Sequence, residues 1–123
     1  MTRTNLAARS AGTRFERLIA DYLAAHVDDR IDRRARNGAK DRGDIGGLCT
    51  AHGRIVVECK DTTRIELAKW AVEAEAERGN DDALVGLVAH KRHGVADPGR
   101  QWITCTVVDL IALITGERPE DVA

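Results

Sequence analysis

The unbroken apolar run Ala83-Leu-Val-Gly-Leu-Val-Ala89 most constrains what this chain can fold into. It has strand length and no polar position to turn toward water, so it predicts a central strand buried on both faces. Around it the periodicity supplies covering elements. Phe15, Leu18, Ile19, Tyr22 and Leu23 recur at three- and four-residue steps. They predict an amphipathic helix from about Arg9 to His26, with Ser10 or Thr13 near its start and Glu16 beside the apolar stripe. Ile31 to Arg36 reads as a short edge strand before the turn Asn37-Gly38. Asp44 to Cys49 and Arg54 to Lys60, broken at Thr50-Ala-His-Gly53, read as a β-hairpin. A second helix is expected from Ile65 to Arg78, ended by Gly79-Asn80. Its expected inner face carries Leu67, Ala68, Ala71, Val72 and Ala74, with Glu73, Glu75 and Glu77 turned outward. A polar loop from His90 to Gly99, a strand from Gln101 to Val108 and a helix from Leu110 to Ile114, capped by Asp109, complete the chain. The order α-β-β-β-α-β-β-α predicts an α/β sandwich around one mixed sheet.

A chain of 123 residues is read as a single domain, 1–123, with its core over 9–116. Its 43% hydrophobic and 32% charged residues exclude a disordered polymer. No apolar run reaches the roughly 20 residues of a membrane helix. Met1-Thr2-Arg3-Thr4-Asn5 lacks the apolar stretch of a signal peptide, so a cytoplasmic location is expected, nucleoid-associated or in the host of a virus. Cys49, Cys59 and Cys105 contain no CxxC pair and are odd in number, which argues against zinc and against disulfides. All three lie in apolar runs and read as small buried hydrophobes. Net charge is −1, but residues 1–60 sum to +4 and residues 61–123 to −5. The densest basic stretch, Arg30 to Arg42, stands immediately ahead of Asp44. A basic face beside clustered acids suits a protein that grips phosphates and also holds a cation; a solvated loop is the plainer reading.

The chemistry concentrates in Ile55-Val-Val-Glu-Cys-Lys60. Alternation along a strand puts Ile55, Val57 and Cys59 on one face and Val56, Glu58 and Lys60 on the other. One face is wholly apolar; the other ends in an acid and a base two residues apart. An ordinary surface pair would explain Glu58 and Lys60 by themselves. Asp44 opens the partner strand. With a loop of Ala51 to Gly53 it would stand opposite Lys60 and diagonal to Glu58, about 7–8 Å away by backbone. A four-residue loop without a bulge would send it to the opposite face. Gly43, Gly46 and Gly47 around it point to a bulge or to close approach by another backbone.

Gly43-Asp44 followed by Glu58-Cys59-Lys60 resembles the motif of the PD-(D/E)xK nucleases, with glycine where proline is usual. Within that superfamily the chain is similar to archaeal-type Holliday-junction resolvases over roughly residues 12 to 108. The similarity rests on Gly12-Thr-Arg-Phe-Glu16-Arg17 in the first helix, Arg36 eight residues before Asp44, and Trp102 on a late strand. The middle helix departs from the resolvases in carrying Trp70 as its sole aromatic residue. The resemblance implies a restriction-endonuclease-like domain and Mg²⁺-dependent cleavage of DNA, with Mn²⁺ able to substitute. Asp44, Glu58 and the Cys59 carbonyl would be the metal ligands, oxygen donors that suit a hard cation. Lys60 would orient the attacking water or stabilise charge on the phosphate, and Glu16 would reach the metal through water.

Arg17, Arg36, Lys40 and Arg42, with Lys91 and Arg92, are candidates for backbone phosphates. His90 and His93 are read as loop histidines, and Trp70 and Trp102 as packing residues. The implied partner is branched or four-way DNA bound by a homodimer. A restriction-like or repair nickase, or a non-catalytic DNA-binding module, are the competing readings; the intact Asp44, Glu58 and Lys60 disfavour the last.

Overall fold

Val85–His90 is the strand around which the rest of the chain is arranged, and it is almost wholly covered in the computed structural model, which describes residues 3–35 and 41–119. In chain order the elements are α1 (Asn5–His26), β1 (Asp32–Arg33), β2 (Ile45–Gly46), β3 (Ile55–Lys60), α2 (Leu67–Asn80), β4 (Val85–His90), β5 (Trp102–Thr104) and α3 (Val107–Thr115). The strands form one mixed sheet in the order β1-β2-β3-β4-β5. Only β3 and β4 run parallel; the other neighbours are antiparallel. A parallel pair needs a crossover, and α2 provides it.

Two cores follow from the alternation of β3 and β4. Ile55, Val57, Cys59, Val85 and Ala89 pack with Phe15, Ile19 and Ala20 of α1 and Ala112 of α3. On the opposite face Val88 packs with Trp70 and Ala74 of α2. The molecule is therefore a mixed α/β fold, its five-stranded sheet flanked by three helices. Among the described residues no helix is long and apolar enough to cross a membrane.

Several boundaries differ from expectation. The first helix starts at Asn5, with Thr4 accepting from the Ala7 N–H as its cap. The edge strand shrinks to two residues, and its expected end at Arg36, like the turn Asn37-Gly38, lies outside the described residues. The last strand stops at Thr104 because Thr106 caps α3, which makes Val107 and Val108 helical. Asp109 is not the cap but the third helical residue, returning a bond to Thr106 in a capping box. Of the cysteines only Cys59 is buried; Cys49 and Cys105 are exposed.

The second helix is rotated relative to its apolar pattern. Trp70, Ala74 and Glu77 face the sheet, whereas Leu67 and Val72 are exposed. The sheet sets this phase. A side chain at Gly86 would meet the Ala74 carbonyl at 3.0 Å, so helix and strand touch backbone to backbone there.

Candidate active site

The hairpin decides where Asp44 points. Its loop is longer than the three residues that would set Asp44 opposite Lys60: Cys49 bridges Arg54, and the Thr50 N–H donates to the Gly53 carbonyl across the turn. Taken alone that loop would turn Asp44 into the apolar core. Instead Ile45 pairs with Val57, so the segment from Ile45 to Cys49 carries one residue more than the segment from Arg54 to Val57. That extra residue is a β-bulge, and it restores the face. Gly47 takes a φ of +86° there, with its backbone against the Arg30 carbonyl. One step along, Asp44 comes beside Glu58 rather than opposite Lys60, which corrects the expected register.

Asp44 is 2% exposed and its Oδ2 accepts from the Cys59 N–H at 2.8 Å. The Asp44 N–H donates to the Val57 carbonyl at 2.9 Å, so the acid is tied to β3 by backbone and by side chain. Glu58 is buried between Asp44 and Glu77. Burial, reinforced by both neighbouring carboxylates, pushes it up to about 12. Glu77 is pushed up to about 7, first by burial, although its bond to Glu58 acts the other way.

Asp41, Glu58 and Glu77 each present a carboxylate oxygen within 4.8 Å of the others. Glu77 Oε2 is buried without a hydrogen-bond partner. An all-oxygen donor set of this charge, with one acceptor unsatisfied, fits a hard divalent cation and leaves thiolate-seeking ions unsuited. Asp44 lies beside this trio without being part of it.

The cluster forms one wall of a cleft of about 740 Å³ at the C-terminal end of β3. Glu58, Cys59 and Lys60 lie along its floor; Gly12, Thr13 and Glu16 of α1 and Glu73 and Glu77 of α2 form its sides. Lys60 crosses the floor to pair with Glu73. Burial opposes its charge, but Glu73, Glu58 and Asp44 outweigh that and hold the ammonium ionised. Glu16 is buried 3.7 Å from the Arg33 guanidinium.

Of the residues singled out by sequence, Glu16, Asp44, Glu58, Cys59 and Lys60 converge here. The phosphate candidates do not converge. Arg17 pairs with Asp21 and Asp32, Arg42 lies 3.9 Å from Asp81, Lys91 donates to the Val95 carbonyl, and Arg92 covers the Trp102 ring at 4.5 Å. Arg36 and Lys40 lie outside the described residues.

Asp41, Glu73 and Glu77 were missed by sequence reasoning. The expectation that Glu73 and Glu77 face outward fails, because both line the cleft. Trp70 was the available signal: the spacing of Trp70, Glu73, Ala74 and Glu77 is that of one helix face. His90 is buried against Trp70 and bonds Thr104, and His93 bonds the Thr62 carbonyl.

Compared with family models, with curated proteins and with solved structures, the chain matches none of them.

Proposed function

We propose that this chain is a metal-dependent DNA endonuclease of the PD-(D/E)xK type on a restriction-endonuclease-like domain. One observation carries the reading. A hairpin, through its glycine bulge, delivers Asp44 beside Glu58 at the end of a strand whose next residue on the same face is Lys60, and Asp41 and Glu77 complete an all-oxygen cluster. Asp41, Glu58 and Glu77 would hold Mg²⁺, or Mn²⁺ in its place, with Asp44 and the Cys59 carbonyl bordering the seat. When bound, the ion supplies charge neutralisation for an anionic phosphodiester and a more acidic water.

The chain's own groups do the rest. Asp44 fixes the end of β3 through the Cys59 N–H. Lys60, kept charged and held by Glu73, stabilises negative charge developing on the phosphate. Glu16 anchors Arg33 at the mouth of the cleft.

The finer reading is a Holliday-junction resolvase. Its support is the resemblance to the archaeal-type resolvases carried by Gly12-Thr-Arg-Phe-Glu16-Arg17, Arg36 and Trp102. Resolving a four-way junction takes two symmetric cuts, and one chain carries one site, so the active form is a two-fold homodimer.

The test is cleavage of four-way junction, duplex, nicked and single-stranded DNA in parallel with Mg²⁺, with sedimentation of the protein. Junction cleavage by a dimer, stopped by chelator, is expected. Glu58→Gln, which removes a ligand, and Asp44→Ala, which removes the acceptor of the Cys59 N–H, should abolish cleavage while DNA is still bound; undiminished cutting by either variant sinks the assignment.

A further inference from the structure

Gly12 sits in the middle of α1, where glycine weakens a helix relative to alanine. Neither conformation nor packing requires it. Its backbone is helical, and a Cβ added there would meet no atom within 4 Å. The space it leaves is open and belongs to the wall of the acidic cleft. A helix residue without a side chain, facing open space beside a reactive site, lets another backbone come close.

The charges around that gap point to the same kind of ligand. Most arginines among the described residues are paired with an aspartate or glutamate, among them Arg3, Arg33, Arg34 and Arg54. Arg9 and Arg14 are not. Arg9 and Thr13 line the cleft and also a groove of about 340 Å³ that adjoins it, whose remaining walls are Ser10 and Arg14. Two uncommitted guanidinium groups and two hydroxyls therefore border the cleft and the open surface groove that shares Arg9 and Thr13 with it. All are donors, as phosphate oxygens require. Arg9 and Arg14 are separated by about 7.5 Å along the helix axis.

We propose that Arg9, Ser10, Gly12, Thr13 and Arg14 form the seat for the sugar–phosphate backbone of the DNA strand that enters the cleft. The identification of the polyanion as DNA rests on the nuclease reading above. The division of labour is electrostatic: the acidic cluster repels a phosphodiester, and the α1 face holds the flanking phosphates against that repulsion. Phosphate contacts of this kind give affinity and register without sequence reading.

The experiment is fluorescence anisotropy of labelled four-way junction and 25-bp duplex in EDTA at several salt concentrations, alongside thermal melts. Arg9→Gln/Arg14→Gln should weaken binding about tenfold and lower the slope of log affinity against log salt by about 1.8. A control of equal charge, Arg30→Gln/Arg100→Gln, should leave the slope within about 0.5 of wild type. Gly12→Ala separates a ligand seat from a structural role. Alanine favours the helix, so Tm should rise by about 3 °C, while affinity falls about fivefold with the salt slope unchanged.

Wild-type binding and slope in the Arg9/Arg14 double variant would overturn the proposal, as would Gly12→Ala binding DNA as tightly as wild type. Either result beside normal Mg²⁺-dependent cleavage leaves the nuclease reading standing. Binding that depends on Arg9 and Gly12, with no cleavage under any divalent cation, supports the seat and removes the nuclease reading.

Discussion

Glu77 is 6% exposed, with one oxygen unpartnered and the other near Glu58, on a helix whose apolar pattern pointed it outward. A carboxylate left in that position repels its neighbours unless a proton or a cation neutralises it. Glu77→Gln should therefore raise the stability of the metal-free protein by about 1 kcal/mol, since one buried charge is removed. The same change should weaken Mn²⁺ binding by more than about tenfold. Calorimetric titration with Mn²⁺ and a urea melt in chelator check the two halves separately. A loss of stability with unchanged Mn²⁺ affinity would mean that Glu77 serves packing alone. Asp41 belongs to the same account, and its place could not be read from sequence because only the folded loop brings it against α2.

At the scale of the element, the hairpin converts a glycine-rich sequence into the geometry that sets Asp44 beside Glu58. Gly43 precedes Asp44 with a φ of +94°, the left-handed region that a β-carbon disfavours. A Cβ at that position would meet Val56 Cγ1 at 2.6 Å and the Val57 carbonyl at 3.2 Å. Gly43→Ala should cost about 3 kcal/mol, adding backbone strain to the clash. It should also move Asp44 away from the Cys59 N–H. Urea denaturation measures the first effect and the Mn²⁺ titration the second; a variant as stable as wild type would contradict the backbone account. The sequence signal here was genuine, since clustered glycines implied a bulge. The register was not legible, because the loop and the bulge each shift it by one residue and only their sum restores the face.

Across the whole molecule, one buried ion pair links three elements to the C-terminal stretch. Arg118 donates to Asp109 at 2.7 Å and to the Leu84 carbonyl at 2.9 Å, and lies 3.5 Å from Glu75. Asp109 also accepts from the Gly86 N–H. Burial opposes ionisation of Asp109, but Arg118, Thr106 and Gly86 outweigh it and hold its carboxyl below the ordinary 3.8. A depressed carboxylate contributes stability that is fully present above its unfolded value and is lost as pH falls through its folded one. The pair therefore acts at full strength at pH 7 and fades below about pH 3.8. Asp109→Asn should cost about 3 kcal/mol at neutral pH, because it removes the buried carboxylate that balances Arg118 and leaves it the half-exposed Glu75 as counter-charge. The difference from wild type should shrink at pH 3, as urea melts at the two pH values will show. An undiminished gap at pH 3 would assign the loss to packing instead of charge.

The elements themselves were legible because each carries its own period or an apolar run long enough to demand burial. Ala83 to Ala89 had to be central, and Ile55 to Lys60 had to present Glu58 and Lys60 together. Alternation along a strand is local, so that pairing needs no tertiary information. What the tertiary structure alone decided is everything set by how elements meet. The phase of α2 is one case: alanine-rich helices leave several faces nearly equal in apolarity, and the close contact of Ala74 with Gly86 selects one. The neighbours of the arginines are another, since a charge in sequence does not reveal its partner. Arg17 and Arg42 are committed to aspartates, while Arg9 and Arg14 remain available beside the cleft. Short-range order follows from the chain's own covalent geometry. The gathering of four carboxylates, three of them buried, follows only from packing a helix onto the strand and loop that carry them.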